Sequence, residues 1–364
     1  MLCWDFSIWL QPMKHRLTMR CSNLFRFSAV ALGLILGLSI GSSVLAQSRP
    51  RLAVLTDMGG DPDDMQSLIR LLVYSNEFEI EALLASASGT RGELKEAITR
   101  ADLILQVIAA YERVLPNLQR HATGWPEAAA LRDVVVSGNR LRGREHIGEG
   151  HDTQGSRRLI EIIDAGSRAR PLNISIWGGQ TDLAQALWRV QNERGAAGLS
   201  EFVSKFRVYD INDQDGIAEW MRSEFPNMHY VLAKAPEGED KRLGTYRGMY
   251  LTGDMSTTSA NWIETHVRSR GALGQLYPTK TWTVPNPHGV LKEGDTPAWF
   301  FFLPLGGNDP SDPSQPGWGG QFERQADGWY RDLPSSAELD PRTTVSQWRD
   351  AFQADFSRRM AWCQ

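Results

Sequence analysis

Short apolar runs that end in polar, turn-forming segments and pass into amphipathic stretches recur along the chain, and this alternation constrains the fold more than any other feature. "RLAVLT" (51–56) runs into "DMGGDPDD", and Met65, Leu68, Ile69, Leu72 and Val73 follow at helical spacing up to Tyr74. "EIEALLASAS" predicts a second strand, and residues 93–115 a long helix. A helix is expected over 156–166, opened by Ser156 and closed by Gly166. "PLNISIWGG" predicts a strand with "TDLAQALWRVQNE" as the helix behind it; "FRVYDI", "GIAEWMRSEF" and "MHYVLA" repeat the cycle. Strand followed by helix, several times over, means parallel strands joined by right-handed crossovers. The expected fold is therefore α/β, an open and mainly parallel sheet with helices on both faces.

From about Pro236 the chain is rich in Gly, Pro and Trp, with one strong apolar run over Ala298–Leu305 and a closing helix expected near 344–360. Neither a repeat nor a linker is visible, so residues 47–364 read as one domain. Ahead of them, Arg20 and Arg26 precede an apolar stretch, Phe27–Ile40, and "SVLAQ" carries small residues at Val44 and Ala46. This predicts a signal peptide, residues 1–46, cleaved after Ala46. The apolar stretch is short for a membrane anchor, so no stable span is expected after cleavage. The predicted location is periplasmic or extracellular. Of three cysteines, Cys3 and Cys21 leave with the signal, and Cys363 alone can form no internal disulfide. A formal net charge of −4 offers no basic field for nucleic acid.

In open parallel sheets, ligands bind beyond the carboxyl ends of the strands. Chemistry is therefore expected in "TDMGGDPDD", "SASGTRGE", "WGGQTD" and "INDQDG". The first places Asp57, Asp61, Asp63 and Asp64 within eight residues. Aspartate caps helices and suits a first helical turn, which accounts for one or two of them. Four together raise one another's pKa unless a cation intervenes, and with no cysteine or paired histidine nearby a hard, oxygen-seeking cation fits best. A phosphate loop would need glycine amides and a lysine, whereas this loop is anionic.

The arrangement resembles the calcium-dependent nucleoside hydrolases, and more closely their secreted branch of nucleoside hydrolase-like, Sde182-like cellulose-binding proteins. "TDMGGDPDD" and "WGGQTDLA" carry the likeness, supported by "IGEGHDTQGS", "INDQDG", "KEGDTPAWFF" and "GWGG". The resemblance implies a Ca²⁺ ion on Asp57, Asp64, the backbone carbonyl of Trp177 and Asp295. It implies sugar contacts from Asp63 and from Asn212, Asp213 and Asp215. Asp57 would be the catalytic base that deprotonates a calcium-held water attacking an anomeric carbon.

The chain departs from the family in two places. Gly60 and Asp61 lengthen the first loop, and Gly294 stands where those hydrolases carry a histidine that assists the leaving base. His121, His151 and His288 are the substitutes available. The eleven tryptophans of residues 47–364 can fill a core or stack on sugars, and the glycines around Trp318 suggest an exposed ligand loop. Two functions follow. One is an exported calcium-dependent hydrolase of N-ribosides or related glycosides. The other is a non-catalytic binder of cellulose or plant-wall glycan on the same fold. The ligand is a small nucleoside, glycoside or carbohydrate in either case, and relatives of this kind often form homo-oligomers.

Overall fold

The computed structural model describes residues 49–89 and 96–364. The expected signal segment, 1–46, lies outside them. Eight strands form one sheet in the order β3-β2-β1-β4-β5-β6-β8-β7. They are β1 (Arg51–Thr56), β2 (Glu79–Ala85), β3 (Val135–Ser137), β4 (Leu172–Ile176), β5 (Phe206–Ile211), β6 (Tyr230–Ala233), β7 (Phe322–Arg324) and β8 (Tyr330–Asp332). Every pairing is parallel except β7 with β8, an antiparallel hairpin at one edge.

Side chains alternate across this sheet into two cores. Leu52 and Val54 of β1, Tyr209 of β5 and Val231 of β6 face one layer, which holds α1 (Asp63–Leu72) and α2 (Ala101–Leu118). Ala53, Leu55, Val208 and Leu232 face the other, covered by α4 (Gln154–Asp164), α5 (Gln180–Val203) and α6 (Ala218–Glu224). A short α3 (Ala128–Asp133) precedes β3. The parallel α/β architecture with helices on both faces is thus the one its alternating pattern demands.

Several elements differ from their expected bounds. The helix read over 93–115 begins at Ala101, because Thr99 is drawn into a bridge with Ala87; residues 93–95 lie outside the described part. The helix expected from Ser156 starts earlier, with Thr153 as its cap: Thr153 Oγ1 accepts from the Ser156 amide, and Ser156 Oγ accepts from the Thr153 amide, each at 2.9 Å. α5 runs far past Glu193 but is broken at Gly195, whose φ of 66° no helix contains. The closing helix is Arg349–Ala361, preceded by a separate turn over Thr343–Ser346. Among the described residues no helix is long and apolar enough to cross a membrane.

β1 leads to β2 and β3 on one side, and the chain then returns to lay β4 along the other side of β1. That reversal is a topological switch point, and the strand ends flanking it open a crevice. The irregular chain after Pro236 crosses above the crevice and packs Trp299, Phe300 and Phe301 into the α1 layer. It is held down by Arg70 of α1, fully buried, which pairs with the equally buried Glu293 (Nη2–Oε1 3.1 Å) and donates to Gln353 Oε1 at 2.7 Å.

Candidate functional site

β1 ends at Thr56 and delivers Asp57 to the crevice, while α1 begins at Asp63 behind Pro62. No side chain caps α1, so neither Asp63 nor Asp64 is spent on its free amides. Both still gain from the positive end of the helix dipole while their carboxylates face inward. On the β4 side, a Cβ on Gly178 would lie 2.8 Å from the Asp57 Cβ, so only glycine lets this turn approach so closely. The result is a cleft of about 450 Å³ lined by Asp57, Asp61, Asp63, Asp64 and Asp295, and by Arg247.

The four aspartates of the first loop have different partners. Asp57 Oδ2 accepts from Arg142 Nη2 at 2.7 Å, and Arg142 also donates to the Ala87 carbonyl. Asp61 accepts from the backbone amides of Trp282 and Thr283, from the Thr283 hydroxyl and from Lys292 Nζ at 2.8 Å. Asp63 pairs with the same ammonium at 2.9 Å. Asp64 accepts from the Thr56 hydroxyl. The buried cations Arg142 and Lys292 therefore serve Asp57, Asp61 and Asp63, and among the described residues Asp64 and Asp295 have no ion-pair partner.

Those unpaired charges shape the electrostatics. Burial pushes Asp57 up to about 6, against the lowering pull of Arg142. Burial first, then repulsion from Asp57 and Asp295, holds Asp64 well above the carboxylate range. Asp295 is raised in the same way, by burial and then by Asp63 and Asp57. Oxygens of Asp63, Asp64 and Asp295 lie within 4.8 Å of one another, and Asp295 Oδ2 is buried with no hydrogen-bond partner. Oxygens sharing one Ca²⁺ sit about 2.3–2.6 Å from it, so this donor set fits a hard divalent cation.

The remaining expected residues fall in three groups. Asn212 and Asp213, in left-handed backbone at φ 69° and 49°, line the cleft. Asp213 is partly engaged, accepting from the amides of Ile217 and Ala218 at the start of α6 and pairing with Lys234 at 2.9 Å. Asp215 turns away from the cleft: its Oδ2 accepts from the Thr181 amide at 2.7 Å and the Thr181 hydroxyl at 2.6 Å, and Arg142 lies 3.6 Å from its Oδ1. The Trp177 carbonyl accepts from the Gln214 side-chain amide. Trp318 corrects the expectation of an exposed loop. It is only 6% exposed and packs edge-on against Phe300 and Phe352. The glycines beside it serve close packing, since a Cβ on Gly319 would strike the Phe301 Cα at 2.6 Å.

None of the three histidines lines the cleft; His121 stacks on Trp362, and His151 lies edge-on to His146. Sequence reasoning missed Arg142, Lys292, Gln214, Tyr246 and Arg247. Lys292 had a signal, standing three residues before Asp295 beside an uncompensated acidic cluster. Arg142 had none.

Asp182, in the first turn of α5, binds the surrounding loops together. Its carboxylate accepts from the Asn139 amide (2.7 Å), Ser86 Oγ (3.0 Å) and Thr153 Oγ1 (3.1 Å). Burial pushes it up to about 7. The folded state then holds a proton that the unfolded chain has released above about pH 4, so its contribution is full below that pH and is lost as pH rises through 7. Asp182→Asn should therefore gain stability relative to the parent between pH 5 and pH 8, by roughly 2–4 kcal/mol. Urea denaturation at the two pH values checks this; a constant difference would contradict it.

Comparison with known proteins agrees with this fold. Residues 51–322 match the family described as "Cellulose-binding Sde182, nucleoside hydrolase-like domain". A solved structure, a nucleoside hydrolase-related hypothetical protein from Saccharophagus degradans associated with carbohydrate metabolism, superposes with a TM-score of 0.71 at 33% identity. The match covers 87% of this chain and 72% of that one. No curated protein matches the chain.

Proposed function

We propose, for a chain that belongs to the cellulose-binding Sde182, nucleoside hydrolase-like family, that the acidic cleft holds Ca²⁺ on Asp63, Asp64 and Asp295 and hydrolyses a glycosidic bond beside it. The observation that carries this reading is the carboxylate trio, with oxygens within 4.8 Å of one another and an unsatisfied, buried Asp295 Oδ2. Bound calcium would supply positive charge for sugar hydroxyls and a lowered pKa for water. Asp57, held up to about 6, has the basicity to accept the attacking water's proton on its carboxylate near neutral pH. Asn212 and Asp213 stand where ring hydroxyls can be bound, and the carboxylates around the ring favour positive charge growing at the anomeric carbon. The substrate class is an N-riboside or a related glycoside. A cellulose-like ligand lies outside the cell, which suits the export expected from residues 1–46.

One observation favours a second reading, carbohydrate binding without turnover. The Arg142 guanidinium, 2.7 Å from Asp57 Oδ2, occupies one oxygen of the base and counters its charge. Assays of the full chain on nucleosides and cello-oligosaccharides, with calcium and with chelator, separate the two. Hydrolysis predicts calcium-dependent turnover that Asp57→Asn lowers by about 10²–10⁴-fold. Sugar binding with no turnover by the parent supports the second reading and contradicts the first.

A further inference from the structure

Trp282 is 61% exposed, the only aromatic among the large apolar side chains left open to solvent in the described residues. Single exposed apolar residues are ordinary on protein surfaces. This one differs in how it is held. Its amide donates to Asp61 Oδ1 at 3.2 Å, and the amide of the next residue, Thr283, donates to Asp61 Oδ2 at 2.7 Å. The Thr283 hydroxyl donates to that same oxygen, and Lys292 Nζ secures it at 2.8 Å. A buried carboxylate of the cleft thus fixes the backbone that presents an exposed indole.

Position and strain point the same way. Thr283 lines the cleft, so Trp282 stands at its lip. Val284 has a φ of 42°, a conformation that a β-branched residue before proline strongly resists. Backbone of this kind persists where the surroundings over-determine it, and it concentrates at ligand clamps. Trp282 belongs to neither core and makes no aromatic or cation contact among the described residues. Among the described residues its face is free, and the backbone that carries it is fixed by Asp61 beside the acidic cleft.

We propose that Trp282 is a stacking platform for a pyranose ring, so that the cleft takes a glycan of at least two units, one sugar on the acidic floor and its neighbour on the indole. The inference rests on the reading of the cleft as a carbohydrate site. In a β-linked glucose chain the ring substituents are equatorial and both faces present C–H groups, which match a broad, stiff aromatic surface. Asp61 then has a positioning role, fixing the lip instead of meeting the sugar itself.

The test is calorimetric titration of the full chain with glucose, cellobiose and cellotetraose in calcium, for the parent, Trp282→Ala and Trp282→Phe. The parent should bind cellobiose at least tenfold more tightly than glucose. Trp282→Ala should lose that gain while holding glucose within twofold, and Trp282→Phe should keep most of it. Equal affinity of the parent for glucose and cellobiose, or an unchanged gain in Trp282→Ala, overturns the platform alone. A parent that binds none of the three sugars overturns the carbohydrate reading of the cleft and the platform with it.

Discussion

Asp64→Asn should weaken calcium binding by at least about a hundredfold, and adding Asp295→Asn should bring it below detection, because affinity at an oxygen site follows the number of charged ligands. The same substitution should leave the calcium-free protein no less stable than the parent. Asp64 is buried beside Asp57 and Asp295, and its charged form is disfavoured first by burial and then by those neighbours. An amide keeps an oxygen for the Thr56 hydroxyl and removes the repulsion. Binding to the native state alone stabilises by mass action, about 2.7 kcal/mol at a hundred times Kd, so calcium should raise the parent's melting temperature. The variant should melt at one temperature with or without calcium. Scanning calorimetry of both proteins in calcium and in chelator reads these effects together; a variant that unfolds readily without calcium would assign Asp64 a structural role instead.

Glu293→Ala should destabilise the fold by about 3–5 kcal/mol, the cost of leaving a buried guanidinium without its partner. Arg70 and Glu293 are both fully buried, and the Tyr277 hydroxyl also donates to Glu293 Oε1, at 2.5 Å. The partners left to the Arg70 guanidinium are Gln353 Oε1 at 2.7 Å, the Phe352 carbonyl at 3.5 Å and the Phe356 ring, whose centroid lies 3.7 Å away, and none of them carries a countercharge. Replacing both partners, as in Arg70→Met with Glu293→Leu, should cost less than Glu293→Ala alone, since no charge is stranded. The site should suffer as well. Glu293 sits at a φ of 45° between Lys292, which pairs with Asp61 and Asp63, and the turn that carries Asp295. Urea denaturation gives the stability term, and a calcium titration of the folded fraction gives the site term. Wild-type calcium affinity in Glu293→Ala would show that this pair does not position Asp295.

The legible parts of this protein were those whose cause is local. Asp57, Asp63 and Asp64 follow from a strand passing through a short turn into a helix, a geometry written within about a dozen consecutive residues. The parallel sheet followed from the alternation of β1, α1, β2 and their successors. Strands of three residues, β3, β7 and β8, are too short to show a period of two and leave no such trace in the pattern. The placement of β4 beside β1, which brings the Gly178 turn against Asp57, is a long-range pairing that no local pattern encodes. Arg142 reaches Asp57 across 85 positions, and Lys292 reaches Asp61 across 231. Neither is adjacent to its partner in any periodic sense. Trp318 misled for a different reason: glycine signals both exposed turns and close backbone packing, and here the packing against Phe301 decides.

Both readings of function share one claim, that a cation held by the carboxylates of the cleft positions the sugar. The most direct test is the affinity of the full chain for cellobiose in calcium and in excess chelator, measured by calorimetry on the same preparation. Measurable binding is expected in calcium, with its loss in chelator and its return when calcium is restored. Equal affinity under the two conditions would contradict it, and would place recognition on the hydrogen-bonding groups of the cleft without a metal.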